Sequence, residues 1–226
     1  MLTSIGQPQC DIRWLGTVEY REAWELQQRL AVQRRAGEIP DTLLLLEHPP
    51  TLTLGRAAHT EHILAMPEQL TALGIAVVET DRGGDVTYHG PGQLVGYPIL
   101  NLQEAPHTAD LHLYLRKLEE ALIQALATFD IPATRFQNHT GVWTGCETTN
   151  PAKVAAIGIK ATRWITQHGF ALNVCPDLSH FDLIVPCGIH DYGVTSIERL
   201  LARPITVGDL LPVVEAAFCR EFSLVV

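Results

Sequence analysis

The stretch that most constrains this chain is Arg82-Gly83-Gly84-Asp85-Val86-Thr87-Tyr88-His89-Gly90-Pro91-Gly92-Gln93-Leu94-Val95-Gly96-Tyr97-Pro98, which holds five glycines and two prolines. Glycine carries an entropic cost in the folded state, so repeated use suits backbone that must turn through positive φ or approach a ligand closely. A ligand-facing loop between two strands is the expectation. The alternative is a glycine-rich hairpin whose polar residues only hydrogen-bond one another. A phosphate loop is not supported: there is no G-x-x-x-x-G-K-[ST], and no helical pattern follows Gly83-Gly84.

The flanking segments suggest the frame. Leu43-Leu44-Leu45-Leu46 lies within Asp41 to Glu47 without alternation, as in a strand covered on both faces, and His48-Pro49-Pro50 ends it. Thr51 to Arg56 reads as a short extended piece. Val18 to Arg35 reads as a helix whose apolar face holds Tyr20, Ala23, Trp24, Leu26, Leu30 and Ala31, with Gly37 as its stop. Gly74 to Thr80 is a β-branched run entering the glycine-rich stretch, and Leu94 to Leu100 is a strand leaving it. Asp110 to Phe129 is the clearest helix, with Leu111, Leu115, Leu118, Leu122 and Leu126 on one face and Glu119-Glu120 on the wet side. Gly141 to Gly145, Ala152 to Ile159 and Trp164 to Val174 read as strands. Thr206 with Asp209 caps a last helix. No linker or repeat divides the chain. The expectation is one α+β domain over residues 1–226, a mixed, mostly antiparallel sheet flanked by helices.

Composition narrows the partners. A formal charge of −9 argues against nucleic acid, which wants a basic footprint. No secretory signal is read in Met1 to Asp11, and no apolar run reaches membrane-spanning length. Five cysteines without a C-x-x-C pair suit a reducing cytoplasm.

Cys187 stands in Pro186-Cys187-Gly188, where proline fixes the approach and glycine leaves sulfur and amide uncrowded, as for a nucleophilic thiol with a neighbouring oxyanion donor. It can equally be a small buried hydrophobe. Cys10, Cys146, Cys175 and Cys219 have structural settings. A thiolate at neutral pH needs a cation or a base. Lys153 heads an otherwise apolar strand, Ala152 to Gly158, and is either that helper or an exposed edge charge. Cys187 and His190 lack a second ligand pair, so no metal is expected.

Taken together, Arg82 to Gln93, Lys153, Gly169-Phe170-Ala171-Leu172-Asn173-Val174 and Pro186-Cys187-Gly188 resemble the octanoyltransferases of lipoate biosynthesis, also called lipoyl(octanoyl) transferases or lipoate-protein ligase B. The resemblance runs from the first helix to the last. It implies the fold of biotin protein ligase and lipoate-protein ligase catalytic domains. It also implies a cytoplasmic enzyme moving an octanoyl group from octanoyl-acyl carrier protein to a lipoyl-domain lysine. The acceptors would be 2-oxoacid dehydrogenase E2 subunits and the glycine cleavage H protein. By the same resemblance Cys187 carries the acyl group as a thioester, and Lys153 lowers the thiol pKa and acts as acid and base. Arg82, Gly83, Gly84, Asp85, Val86, Thr87, Tyr88 and His89, with Ala156, Ile157, Gly158, Gly169, Phe170 and Ala171, would line the acyl pocket. No cofactor, metal, nucleic acid or membrane is implied, and the chain is expected to be a monomer.

The residues themselves agree with acyl transfer. A thioester exchanges readily with a thiol, and an acyl group that arrives activated leaves ATP without a task. Gly158 and Gly169 are expected to leave room for an aliphatic chain, and either Tyr88 or His89 to order the pocket. Two other readings stand beside this one. An ATP-dependent lipoate or biotin ligase would keep the lysine but need no nucleophilic cysteine, and a non-catalytic acyl-binding protein would form no adduct on Cys187.

Overall fold

The computed structural model describes residues 8–148, 150–185 and 192–226. Cys187, with Pro186 and Gly188, lies outside the described residues.

The leucine run becomes β2 (Asp41–Glu47), and its burial follows from strand periodicity. Leu43 and Leu45 enter one core, and Leu44 and Leu46 the core on the opposite face. This strand sits between β1 (Cys10–Thr17), to which it is parallel, and the antiparallel β6 (Gln93–Ile99). Next to β6 follow β10 (Ile165–Asn173), β9 (Ala152–Thr162), β8 (His139–Thr144) and β7 (Ala133–Phe136), all antiparallel. The short β11 (Gly193–Val194) lies parallel to the start of β9. The architecture is α+β with a mixed, mostly antiparallel sheet covered by helices on both faces.

Helix α1 (Tyr20–Arg35) covers one face. Its buried stripe, Tyr20, Ala23, Gln27, Leu30 and Arg34, includes two polar side chains at core positions. The other face is covered by α3 (Leu111–Ala127) and α5 (Val207–Phe222). Asp110 caps α3 by accepting from the amides of His112 and Leu113, and Thr206 with Asp209 forms the expected capping box on α5. The wet side expected for α3 is corrected at Glu119, which is fully buried. Its carboxylate accepts from Arg116 at 2.6 Å, Arg135 at 3.1 Å and the Gly141 amide at 3.1 Å, so it ties α3 to β7 and β8. A buried carboxylate needs such partners, and two of these, Arg135 and Gly141, come from residues outside the helix. Leu111 is exposed, and the packed face runs instead through Tyr114, Leu118, Ala121, Leu122 and Ala125.

The glycine-rich stretch is also not one loop. It contains a strand, β5 (Val86–His89), between two turns, and β6 already begins at Gln93. With β3 (Thr51–Leu54) and β4 (Ala76–Glu79), β5 forms a separate three-stranded sheet, ordered β4-β3-β5. The β-branched run and the outgoing strand therefore belong to different sheets, and the stretch crosses between them. A third core lies behind the small sheet, where Leu52, Val86 and Tyr88 pack on Leu70 of α2 (Pro67–Ala72) and on Phe181 in a 3₁₀ turn, Leu178–Leu183. Two short helical pieces complete the described elements, a 3₁₀ turn at Thr60–His62 and α4 (Ile197–Leu201). Among the described residues no helix is long and apolar enough to cross a membrane.

One buried ion cluster closes the α1 end of the large sheet. Asp41, 4% exposed, accepts from Arg34 at 2.7 Å and meets His107 at 2.6 Å, while Arg34 also reaches Glu104 at 2.6 Å. Burial alone would raise the Asp41 pKa, but His107 and Arg34 hold it below the ordinary carboxylate value. Asp41→Ala leaves a buried guanidinium and imidazole without their carboxylate, which costs about 3 to 5 kcal/mol. Thermal unfolding should then fall by more than about 6 °C, and a shift under about 2 °C would show that the cluster is not structural.

Candidate functional site

The cleft forms where the two sheets meet, and strand alternation decides which residues face it. On β5, Thr87 and His89 face the cavity, while Val86 and Tyr88 turn into the core of the small sheet. Val86 and Tyr88 were both expected to line the pocket, and the structure places them behind it. Tyr88 hydrogen-bonds His180 at 2.7 Å and stacks edge-on with Phe181, which seats the Leu178–Leu183 turn; burial pushes its pKa up to about 12. Across the cleft, Ala156, Ile157 and Gly158 of β9 stand in register with Ala171, Phe170 and Gly169 of β10. All six line the cavity together with Arg82, Gly83 and Gly84. Asp85 lies at the outer mouth, where it binds His62 at 2.5 Å and the Val86 amide at 2.7 Å.

Arg82 holds the turn that makes this wall. Its Nη2 donates to the Thr53 carbonyl at 2.6 Å and to the Thr53 hydroxyl at 2.9 Å, and Nη1 donates to the Gly83 carbonyl at 3.0 Å. The Gly83 amide then donates to the Ile159 carbonyl of β9 at 2.9 Å. A Cβ at Gly158 would stand 3.0 Å from the Gly83 carbonyl oxygen and 3.2 Å from Arg82 Cδ. Gly158 is thus small so that the turn can lie on the strand, and it also lines the cavity. Gly169 is similar, because a Cβ there would meet the Gly96 carbonyl oxygen at 2.2 Å.

Lys153 lies on β9, an internal strand, and is 9% exposed, so it is not an edge charge. Its Nζ stands 4.9 Å from the centre of the Trp143 ring. A narrow inner space bounded by Thr87, Gln93, Lys153, Ala156, Asn173 and Val194 shares Thr87 and Ala156 with the main cavity. A chain of hydrogen bonds spans the two. His89 Nδ1 donates to Gln93 Oε1 at 2.7 Å, and Gln93 Nε2 donates to Asn173 Oδ1 at 2.9 Å. Asn173 Nδ2 donates to the Thr195 carbonyl at 3.1 Å, and the Thr195 amide donates to the Lys153 carbonyl at 3.0 Å. His89 is therefore the member of the Tyr88-His89 pair that orders the cleft.

The flanks of residues 186–191 are anchored close to Lys153. The Val185 amide donates to the His62 carbonyl at 2.8 Å, and Tyr192 packs on Trp143 with ring centres 5.8 Å apart. Val194 of β11 stands in register with Lys153 itself. Each of the four described cysteines, Cys10, Cys146, Cys175 and Cys219, has its thiol pKa raised, with burial the largest cause. None of these four is poised as a thiolate.

Tyr20, Tyr97, His48 and His168 were not expected at the site. Tyr20, Tyr97 and His168 line the cavity, and Tyr97 donates to His48 Nε2 at 2.7 Å while His48 Nδ1 donates to the Val18 carbonyl at 2.6 Å. The available signal was a polar ring inside an apolar strand, Tyr97 in Leu94 to Ile99 and His168 directly before Gly169. Burial lowers the His48 pKa to about 4 and takes His89 well below the usual histidine value, and His168 is lowered by burial against the pull of Asp81. In the unfolded chain these rings take up protons near pH 6.5, about the usual value. Below that the unfolded state binds more protons than the native one, so stability rises with pH from about 4 and is fully present above about 6.5. The urea midpoint should therefore fall steadily as pH is lowered through this window, less steeply in His48→Gln. A flat midpoint would show that the rings are solvated.

The comparisons with known proteins agree with this architecture. Residues 19–219 match the family model described as the lipoyl protein ligase A/B catalytic domain. The chain is 51% identical over 211 residues to an octanoyltransferase of Chloroflexus aggregans, covering 93% of each chain. It is 54% identical over 203 residues to an octanoyltransferase of Rubrobacter xylanophilus, covering 88% of each. Among solved structures, a bi-partite lipoate protein ligase from Thermoplasma acidophilum superposes with a TM-score of 0.75 at 13% identity, covering 96% of this chain and 85% of that one. A biotin protein ligase from Aquifex aeolicus gives 0.52 at 15% identity, over 94% of this chain and 69% of that one. The last two likenesses concern the fold alone, and they agree with the architecture expected from the motifs. The family model spans most of the chain and the curated relatives share about half of its residues: the chain belongs to the octanoyltransferase family, whose catalytic domain is that of the lipoyl protein ligases A and B.

Proposed function

We propose that this enzyme moves an octanoyl group from octanoyl-acyl carrier protein to the lysine of apo lipoyl domains, with Cys187 as the acyl carrier and Lys153 as its partner. The acceptors are 2-oxoacid dehydrogenase E2 subunits and the glycine cleavage H protein, met by a cytoplasmic monomer formed by one catalytic domain. The observation that carries this reading is the position of Lys153. A nearly buried ammonium opens onto a cleft lined by Thr87 and Ala156, beside the anchored flanks of the Cys187 segment. The raised thiol pKa values of the four described cysteines support the reading of Cys187 as the nucleophile.

The chemistry runs in two half-reactions. The Lys153 ammonium favours the Cys187 thiolate by Coulomb attraction. The thiolate attacks the octanoyl thioester carbonyl, a new C–S bond forms, and the carrier's C–S bond breaks. Lys153 gives its proton to the departing carrier thiolate. The acceptor amine then attacks the Cys187 thioester, the amide forms, the cysteine thiolate leaves, and Lys153 takes the proton that the amine releases. The Gly188 amide and a donor from the glycine-rich turn would hold each tetrahedral oxyanion. The ATP-dependent ligase reading has less support, since the curated relatives at about half identity carry the transferase name and the ATP-bound lipoate-protein ligase A matches at 14% identity.

Initial rates against octanoyl-acyl carrier protein at several apo lipoyl-domain concentrations should give parallel double-reciprocal lines without ATP. Lys153→Ala should keep the native circular dichroism and lose at least about a hundredfold in rate. Intersecting lines, with a Lys153→Ala variant that turns over normally, would replace this mechanism by direct attack in a ternary complex.

A further inference from the structure

The polar side chains that line the main cavity are Tyr20, Arg82, Thr87, His89, Tyr97 and His168, and all but one are engaged. Arg82 donates to Thr53 and to the Gly83 carbonyl, His89 donates to Gln93, and Tyr97 donates to His48. His168 Nε2 lies 2.8 Å from Asp81, and Tyr20 shares hydrogen bonds with Thr80 and Tyr97. Thr87 is the exception. It is 8% exposed, yet its hydroxyl has no hydrogen-bond partner among the described residues.

One reason lies in its cross-strand neighbour. Thr87 of β5 stands directly opposite Thr53 of β3, and facing threonines on paired strands commonly hydrogen-bond one another. Here the Thr53 hydroxyl receives Arg82 Nη2 at 2.9 Å, and that of Thr87 is left to the cavity. The protein does not enclose it either: the enclosed side-chain atoms without a partner include Gln27 Nε2 and His168 Nδ1 but not Thr87 Oγ1, so its small exposure opens on the space it lines. Thr87 and Ala156 are also the two residues shared by the main cavity and the inner space that Lys153 bounds. On the octanoyl-transfer reading above, on which this inference rests, the alkyl chain occupies the cavity and the thioester carbonyl sits where the cavity meets Lys153. The Ala156 side chain brings a methyl group to that junction, and Thr87 brings an O–H. The Gly83 amide is already given to the Ile159 carbonyl at 2.9 Å.

We propose that Thr87 is a catalytic residue whose hydroxyl donates to the oxyanion of both tetrahedral intermediates. As the attacking sulfur or amine bonds to the carbonyl carbon, the C=O π pair moves onto oxygen, and the Thr87 O–H is the donor it meets. As the leaving C–S bond breaks, that pair rebuilds the C=O bond, and Thr87 keeps its proton throughout. A hydrogen bond of this kind strengthens as charge develops on the oxygen, so it stabilises the intermediate more than the neutral thioester. It acts on the chemical rates and leaves the affinity for the donor nearly unchanged.

The test measures two rates in the native enzyme, Thr87→Val and Thr87→Ser: single-turnover acylation by octanoyl-acyl carrier protein, and discharge of the isolated acyl-enzyme to apo lipoyl domain. Valine keeps the β-branched shape that the strand packs, and Thr87→Ala, which needs no new space, supplies the same comparison if the valine variant does not fold. Both rates should fall by about a hundredfold or more in Thr87→Val, with the half-saturating donor concentration within about threefold of native. Thr87→Ser, which keeps the hydroxyl, should bring both back to within about tenfold of native. Native rates in Thr87→Val, a loss confined to the half-saturating concentration or to one half-reaction, or a serine variant as slow as valine would overturn the proposal. A native enzyme that transfers no octanoyl group would overturn the functional reading and this role with it. Native transfer without an acyl-enzyme would overturn the reading of Cys187, and kcat of Thr87→Val, reduced or unchanged, would then decide the role of Thr87.

Discussion

The clamp of Arg82 on Thr53 is the interaction on which the cleft depends. A buried guanidinium must spend its donors on fixed acceptors, and these are the Thr53 carbonyl and hydroxyl on the small sheet and the Gly83 carbonyl on the turn. With Arg82 held, the Gly83 amide reaches Ile159, and the small sheet is locked against β9 of the large one. The cavity is the space left between them. Glycine at 158 makes this possible because the Gly83 carbonyl approaches to a distance that a side chain would resist.

Within that space the polar groups are arranged as a connected set. The His89, Gln93 and Asn173 chain leads from the cavity wall to the strand that carries Lys153. Buried polar networks of this kind rigidify when every member is satisfied. His48, with its pKa near 4, and His89, lowered further by burial, stay neutral at physiological pH. The cleft thus presents the neutral ring of His89 on its wall, backed by His48, and keeps the nearly buried Lys153 near the flanks of the Cys187 segment. That arrangement suits a reaction in which one end of the substrate is apolar and the other passes through an anion.

The frame was legible where a local period carries the information. Leu43 to Leu46 announced a strand covered on both faces, and Thr206 with Asp209 announced a helix start, because burial and capping are written in neighbouring residues. The glycine-rich stretch was recognised as the centre, but its division into two turns and β5 was not, since five glycines mask a strand only four residues long. That hidden strand is why Val86 and Tyr88 were grouped with Thr87 and His89, although alternate positions face opposite ways. Glu119 was misplaced for a different reason: its partners Arg135 and Gly141 come from β7 and β8, and no helical pattern can reveal them. Tyr20, Tyr97 and His168 likewise meet only when α1, β6 and β10 pack together.

The central claim is that the cleft exists to hold an acyl group on Cys187 beside Lys153. Intact-mass measurement and peptide mapping after brief incubation with octanoyl-acyl carrier protein, without acceptor, test it most directly. The account predicts one octanoyl group per chain, located on the peptide containing Cys187 and discharged when apo lipoyl domain is added. A native chain that stays unmodified while still transferring octanoate to the acceptor would contradict it.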